Sequence, residues 1–361
     1  MFYFLYPLKD ISIIFNLCRY ITFRSAGASI TAFLLCLWLG PAMIRWLSRV
    51  KATAHNEREF ADSIHQFYAH KKSVPTMGGL LIVASVLISM FLWGNLTNRF
   101  IRILLMVIVW FAGVGFLDDW IKLRSQSSRG LSSLTKLVGQ LLMGLAFGFY
   151  LYLDPSFDKW LYLPFLKKGA VYLGVFFIPF VILVLVGTSN ALNLTDGLDG
   201  LAIGCTLFTS AALAIISYLV GRVDFAAYLA IPYIPEAGEV AVFCSALVGA
   251  SAGFLWFNSY PAEVMMGDTG SLSLGGVIGA ISVLLKKETV LVIVGGIFVW
   301  EALSVILQVA SFKFRKKRIF LMSPFHHHLQ LKGWPESKVT VRLWIIALIL
   351  AVVGLSTLKV R

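Results

Sequence analysis

The sequence predicts an all-α fold, a polytopic integral membrane protein of about ten transmembrane helices forming one domain over 1–361. Of its 361 residues, 58% are hydrophobic and 14% charged, whereas a soluble domain carries about a quarter charged residues. Apolar runs of about 20 residues, enough to cross a bilayer core of about 30 Å, recur from end to end. No stretch between them is long enough for a sizeable soluble domain.

The first 22 residues lack the basic start and small-residue cleavage site of a secretory signal, and they read as an interfacial segment. Hydropathy then places spans near 23–49, 76–95, 100–118, 134–153 and 170–189. It places five more near 200–220, 239–258, 268–286, 288–311 and 340–359. "TDGLDGLAIG" and "GDTGSLSLGG" share a loose Asp/Gly/Leu texture, which falls short of an inverted repeat. Cys18, Cys36, Cys205 and Cys244 lie in or beside apolar runs, widely spaced, and read as small core residues with neither zinc nor disulfide spacing.

An even number of spans puts both termini on one side. The odd-numbered loops, near 50–75, 119–133, 190–199, 259–267 and 312–339, then share the other. They carry about twice as many basic residues as the even loops, so they are expected to be cytoplasmic and the termini periplasmic. The net charge of +13 fits this bias together with anionic headgroups. Membrane lipids, not nucleic acid, are the expected partner, and an anionic substrate is compatible. Every unusual polar cluster falls in or beside an odd loop, whereas the even loops are bland. A structural scatter of polar residues has no reason to favour one face; a single active site has.

Each cluster also has a plainer reading. In "FLDDWIK", Asp118 and Asp119 end an apolar run, and a carboxylate near a helix C-terminus is mildly unfavourable. Lys122, a metal ion or water must compensate them. A solvated pair with an i,i+4 Asp118–Lys122 contact is worth about 0.2–0.5 kcal/mol. The alternative is a metal- or proton-handling pair, because adjacent like charges raise each other's pKa and a divalent cation removes that cost. In "NALNLTDGLDGLA", helix capping accounts for one of Asn193, Thr195 or Asp196. It does not account for two Asn, two Asp and two Gly within eleven residues.

Asp268 in "GDTGSLSLGG" is an N-cap candidate that gains weight beside Asn258, Asp118, Asp119, Asp196 and Asp199 on one face. These oxygen-rich, thiol-free loops favour Mg²⁺, or Mn²⁺, over zinc. His326, His327 and His328 are consecutive, so a regular helix cannot turn all three to one metal; phosphate recognition fits them better. "FKFRKKR" reads as a headgroup-binding run. Glu301, within an apolar span, should face the bundle interior and be paired or protonated, with Gln308 on its face.

"PTMGG", "GFLDDWIK", "NALNLTDGLDGLA", "FLWFNSYPAEVMMGD" and "PFHHHLQLKGWPE" together resemble the phospho-N-acetylmuramoyl-pentapeptide transferases, or translocases I, nearly end to end. They form one branch of the polyprenyl-phosphate N-acetylhexosamine-1-phosphate transferases. The resemblance implies transfer from UDP-N-acetylmuramoyl-pentapeptide to undecaprenyl phosphate, giving lipid I and UMP, with Mg²⁺ as cofactor and a homodimer as the assembly. It implies that Asp118 and Asp119 are the catalytic acidic pair and that Asp268 is the metal ligand. Asn193, Asp196, Gly197, Leu198 and Asp199 would hold the nucleoside and nearby substrate, with Lys71 and Thr76 on the polar rim. Lys122, Asn258, Gln308, His326 and His327 match further site positions.

Relatives often carry an aromatic residue in "FMGD", where this chain has Met265. Met lies against a base through a polarisable sulfur and so makes a different contact. Uracil binding is therefore expected to persist with altered sensitivity to nucleoside inhibitors; inhibitor titration of wild type and Met265→Phe checks this, and equal affinities would refute it. An aspartyl-phosphate intermediate is the rival to direct transfer. The N-acetylglucosamine branch is the neighbouring alternative activity. A cation-coupled transporter would place its acids at mid-membrane in broken, repeated helices, and a scaffold would not need them.

Overall fold

Nine helices among the described residues are long and apolar enough to cross a membrane. The computed structural model describes residues 1–4, 6, 14–50, 74–125, 130–163 and 170–359; Lys71 lies outside them. The ten principal helices are α1 (Ile21–Arg49), α2 (Gly79–Trp93), α3 (Arg99–Ser125), α4 (Ser133–Leu153) and α5 (Phe177–Thr195), then α6 (Leu201–Val220), α7 (Ala237–Asn258), α8 (Gly267–Leu284), α9 (Gly296–Arg315) and α10 (Glu336–Ser356). All but α2 meet the length criterion.

Where the structure departs from the hydropathy pattern, local interactions give the reason. At 1.5 Å per residue, the 15 residues of α2 reach only about 22 Å. It starts late because the preceding strip is paired with the one before α8: Met265 N–H donates to Pro75 O (2.8 Å), and Gly78 and Gly79 N–H donate to Met265 O and Met266 O (2.9 and 2.8 Å). The run expected from 170 opens instead as a strand, β2 (Ala170–Tyr172), antiparallel to β1 (Trp160–Tyr162). The run expected at 288–311 breaks at Gly295 into a short helix, Glu288–Val294, and α9.

Helix α8 is the centre of the bundle, with every residue from Thr269 to Leu284 buried. Small side chains make that possible, since within a bilayer close backbone approach supplies the packing that hydrophobicity cannot. A Cβ on Gly275 would lie 2.6 Å from the Ser189 Cα of α5, and one on Gly276 would lie 2.6 Å from the Phe111 ring of α3. Gly115 does the same for α3, where a Cβ would lie 2.6 Å from Thr269 Cα. That crossing brings the last turns of α3 against the first turn of α8. Around this centre, α7 packs on α1, α2 and α6, while α4 and α9 pack on α5 and α10 packs on α6.

At the end of the bundle where α1 and α7 begin and α2 ends, Arg24 is 1% exposed and forms a two-pronged pair with Glu239 (2.7 and 2.5 Å). Removing one member of a buried pair strands the other charge. Glu239→Ala is expected to cost about 3–5 kcal/mol, read as a lower thermal unfolding midpoint of the purified protein; an unchanged midpoint would contradict it.

Candidate active site

Helix α3 runs on to Ser125, so the two acids of "FLDDWIK" sit within its last two turns, not at its end. Consecutive helical residues point about 100° apart, and the two carboxylates accordingly take different partners. Asp119 faces the start of α8. Its Oδ2 accepts from Thr269 N–H (2.9 Å) and Thr269 Oγ1 (2.6 Å), and its Oδ1 from Asp268 N–H (3.2 Å). The first N–H groups of a helix lack internal partners and carry the positive pole of its dipole. Asp119 therefore caps α8 from another helix. Gly267, at φ +74°, opens α8, and a Cβ on it would lie 2.8 Å from Asp119 Oδ2 and 3.0 Å from Thr76 Oγ1. Thr76 thus borders the cap.

Asp118 faces the start of α4. Its Oδ1 accepts from Leu131 N–H (2.7 Å), and its Oδ2 lies 2.5 Å from Lys122 Nζ and 3.0 Å from Lys136 Nζ. The same two lysines reach Asp268 Oδ2, at 3.2 Å from Lys122 and 2.5 Å from Lys136. Asp268 Oδ1 accepts from Asn193 Nδ2 (2.9 Å), which also donates to Ser271 Oγ (2.7 Å). Asp118 and Asp119 are 0% and 3% exposed and Asp268 is 15% exposed, so Asp268 is the open member of the cluster. One oxygen from each carboxylate lies within 4.8 Å of the others. Three carboxylates against two ammonium groups leave one formal negative charge. The donors are all hard oxygens, so the set suits Mg²⁺ or Mn²⁺ and not a thiophilic metal.

Lys136 was not singled out from the sequence. Its signal was there, a single cation one turn into an otherwise apolar span behind the Ser132 cap. Only the packing of α4 shows that it closes the cluster.

The remaining candidates make their contacts with other loops and helices, not with these acids. Asp199 is 2% exposed. Its Oδ2 accepts from Ala262 N–H (3.1 Å), its own N–H donates to Glu336 Oε1 (2.7 Å), and its carbonyl accepts from Thr340 Oγ1 (3.3 Å). Asn258 Oδ1 accepts from Gly200 N–H (3.1 Å), and its Nδ2 donates to Val264 O (2.8 Å). Asp199 and Asn258 thus bind the loop after α5 to the loop before α8 and to α10. Leu198 is core, whereas Asp196, Gly197, Met265 and Thr76 are half-buried.

The three histidines diverge on the short helix Phe325–Leu331, as consecutive positions must. His326, fully buried, meets Glu301 and Gly197; His327 Nδ1 pairs with Gln330 Oε1 (2.9 Å); His328 Nδ1 accepts from Leu321 N–H (3.1 Å). Gln308 clasps the loop beyond α9, accepting from Ile319 and Phe320 N–H and donating to Phe320 O (each 3.0 Å).

The pattern of glycosyl transferase family 4 matches residues 101–286, which contain the whole acidic cluster and both lysines. Over 361 residues, all of both chains, the protein is 50% identical to a phospho-N-acetylmuramoyl-pentapeptide-transferase of Citrifermentans bemidjiense. It is 50% identical over 363 residues to the enzyme of that name from Desulfotalea psychrophila, again across both full lengths. With that from Thermodesulfovibrio yellowstonii it shares 48% over 360 residues, 99% of each chain.

Proposed function

The chain belongs to glycosyl transferase family 4 and, within it, to the phospho-N-acetylmuramoyl-pentapeptide transferases; from this we propose that it transfers phospho-N-acetylmuramoyl-pentapeptide from its UDP donor to undecaprenyl phosphate, releasing UMP and forming lipid I. The observation that carries the chemistry is the meeting of Asp118, Asp119 and Asp268 with Lys122 and Lys136 at one end of the bundle. A lipid acceptor needs a site at the bilayer, and a nucleotide donor needs one open to water. Helix ends on one face meet both needs. We place that face in the cytoplasm, with both termini across the bacterial inner membrane, on the charge bias of the loops. A homodimer rests on the resemblance alone.

In the transfer, an oxygen of the lipid phosphate attacks the sugar-linked phosphorus of the donor. The bond from that phosphorus to the bridging oxygen breaks, and UMP leaves. Catalysis of phosphoryl transfer is mostly positioning and charge neutralisation. Asp119 is committed to three donors at the start of α8, so its task is to hold Asp268 in place. Asp118, paired with both lysines, is the carboxylate that orients the lipid phosphate or takes its proton. Lys122 and Lys136 offset the carboxylates that would otherwise repel two anionic substrates. Asn193 steadies the Asp268 oxygen that the lysines leave free.

Mg²⁺, or Mn²⁺ in its place, would be held by Asp268 and would supply positive charge against the donor's pyrophosphate. The half-buried Asp196, Gly197 and Met265 would line the nucleotide side, with Thr76 on its polar rim.

Lys136→Met is expected to lower kcat about 10²-fold, the scale seen when one preorganised donor is removed. Steady-state rates against wild type check this, and a change under threefold would contradict it. The activity itself is tested by UMP release from the UDP-linked muropeptide by purified protein in lipid nanodiscs, with and without polyprenyl phosphate. Acceptor-dependent release is the expected result. Release from UDP-N-acetylglucosamine instead would favour the neighbouring branch, and release from neither would refute the proposal.

A further inference from the structure

We propose that Glu301, a carboxylate buried within α9 and outside the acidic cluster, is a positioning residue for the transfer: it locks the His326 ring behind the 196–199 loop. The proposal rests on the reading of that loop as part of the nucleotide-sugar site. Glu301 lies on the buried face of α9 with Ile297, Phe298 and Ser304 and is 0% exposed. A charged side chain is costly to insert within a membrane helix, so a compensating contact is required.

The partner is one residue, His326, through a backbone hydrogen bond and a charge contact with its ring. Glu301 Oε2 accepts from His326 N–H at 3.3 Å and lies 3.2 Å from His326 Nδ1. The backbone hydrogen bond holds the first turn of the helix Phe325–Leu331, and the nearby carboxylate favours one orientation of the imidazole. With Nδ1 beside the carboxylate, Nε2 lies on the opposite side of the ring. On that side stands Gly197. A Cβ at this position would collide with Nε2, and 2.9 Å would separate it from the neighbouring ring carbon Cε1.

The chain from an intramembrane acid to the loop is therefore continuous: Glu301, His326, Gly197, then Asp196 at the half-buried edge. His326 is itself 0% exposed. It acts on the loop as a fixed backstop, and Glu301 decides where that backstop stands. A loose ring would let the loop sink and would weaken the grip on the nucleotide sugar, while the lysines and aspartates of the cluster stayed in place.

This predicts a specific kinetic signature. Glu301→Gln should raise KM for the UDP-linked muropeptide about tenfold, the lower end of what loss of an outer supporting contact costs. KM for polyprenyl phosphate and the thermal midpoint should hold. Glu301→Asp should fall between the two. His326→Asn should raise the same KM, and the double variant should be no worse than the stronger single one, because both act through one contact.

A loss of kcat with both KM values unchanged would mark Glu301 as mere fold support and overturn the proposal, as would a wild-type KM or additive effects in the double variant. Gly197→Ala separates the two levels. If it leaves the nucleotide-sugar KM unchanged, the reading of the loop fails, and the proposal with it. If it raises that KM while Glu301→Gln does not, the loop reading stands and the role of Glu301 falls.

Discussion

Asp268→Asn should lower kcat about a thousandfold, with the protein still folded. A thousandfold corresponds to about 4 kcal/mol of lost transition-state stabilisation, the scale expected when charge neutralisation at a transferring phosphoryl group is removed. Asn is nearly the same shape as Asp and keeps one oxygen for Asn193, so the first turn of α8 need not move. Its amide cannot balance Lys122 and Lys136, which approach within 3.2 and 2.5 Å of the native carboxylate. Single-turnover UMP formation is the measurement; activity within tenfold of wild type would show that Asp268 is dispensable.

The second large effect separates the two adjacent aspartates. Asp119→Ala is expected to cost roughly 2–4 kcal/mol of stability, by loss of a helix cap and of hydrogen bonds to a charged acceptor. It should also lower activity by about a hundredfold or more, because Asp268 loses its fixed place. Asp118→Asn should cost comparable activity with a smaller loss of stability, since its contacts are to two partly exposed lysines and one loop N–H. Thermal unfolding and kcat measured on both variants distinguish the roles. Equal stability losses would contradict the assignment of Asp119 to the cap and Asp118 to the substrate.

The part of the fold that follows from hydropathy was legible in the sequence, because a span needs only length and apolar character. Its exceptions arise from pairing that hydropathy does not encode. The Pro75 strip joins Met265 and delays α2, and Gly295 interrupts the run that begins at Glu288. The central place of α8 depends on where Gly275, Gly276 and Gly115 let backbones meet, which is a property of three helices together.

At the site, "FLDDWIK" and "GDTGS" announced their acids, and the parity of the loops predicted that they share one face. The question of what compensates Asp118 has a concrete answer in Lys122, joined by Lys136, the single cation of α4. The difference between Asp118 and Asp119 was not legible, because it comes from the 100° step of the helix relative to two neighbours. Asp199 and Asn258 share the composition of a binding loop, and the structure uses them to tie that loop to α10 and to the strip before α8. Glu301 was expected to face the interior, be paired, or be protonated; it is buried, and its Oε2 accepts from the backbone N–H of His326, 25 residues along the chain.

The most direct test of the acidic cluster as the reaction centre is Mn²⁺ binding, followed by electron paramagnetic resonance in lipid nanodiscs, together with metal-dependent UMP release on the same samples. The account predicts one Mn²⁺ per chain in wild type, supporting turnover, and loss of both the bound ion and the turnover in Asp268→Asn. Unchanged Mn²⁺ binding in Asp268→Asn, or UMP release at the wild-type rate after complete chelation of divalent metal, would contradict it.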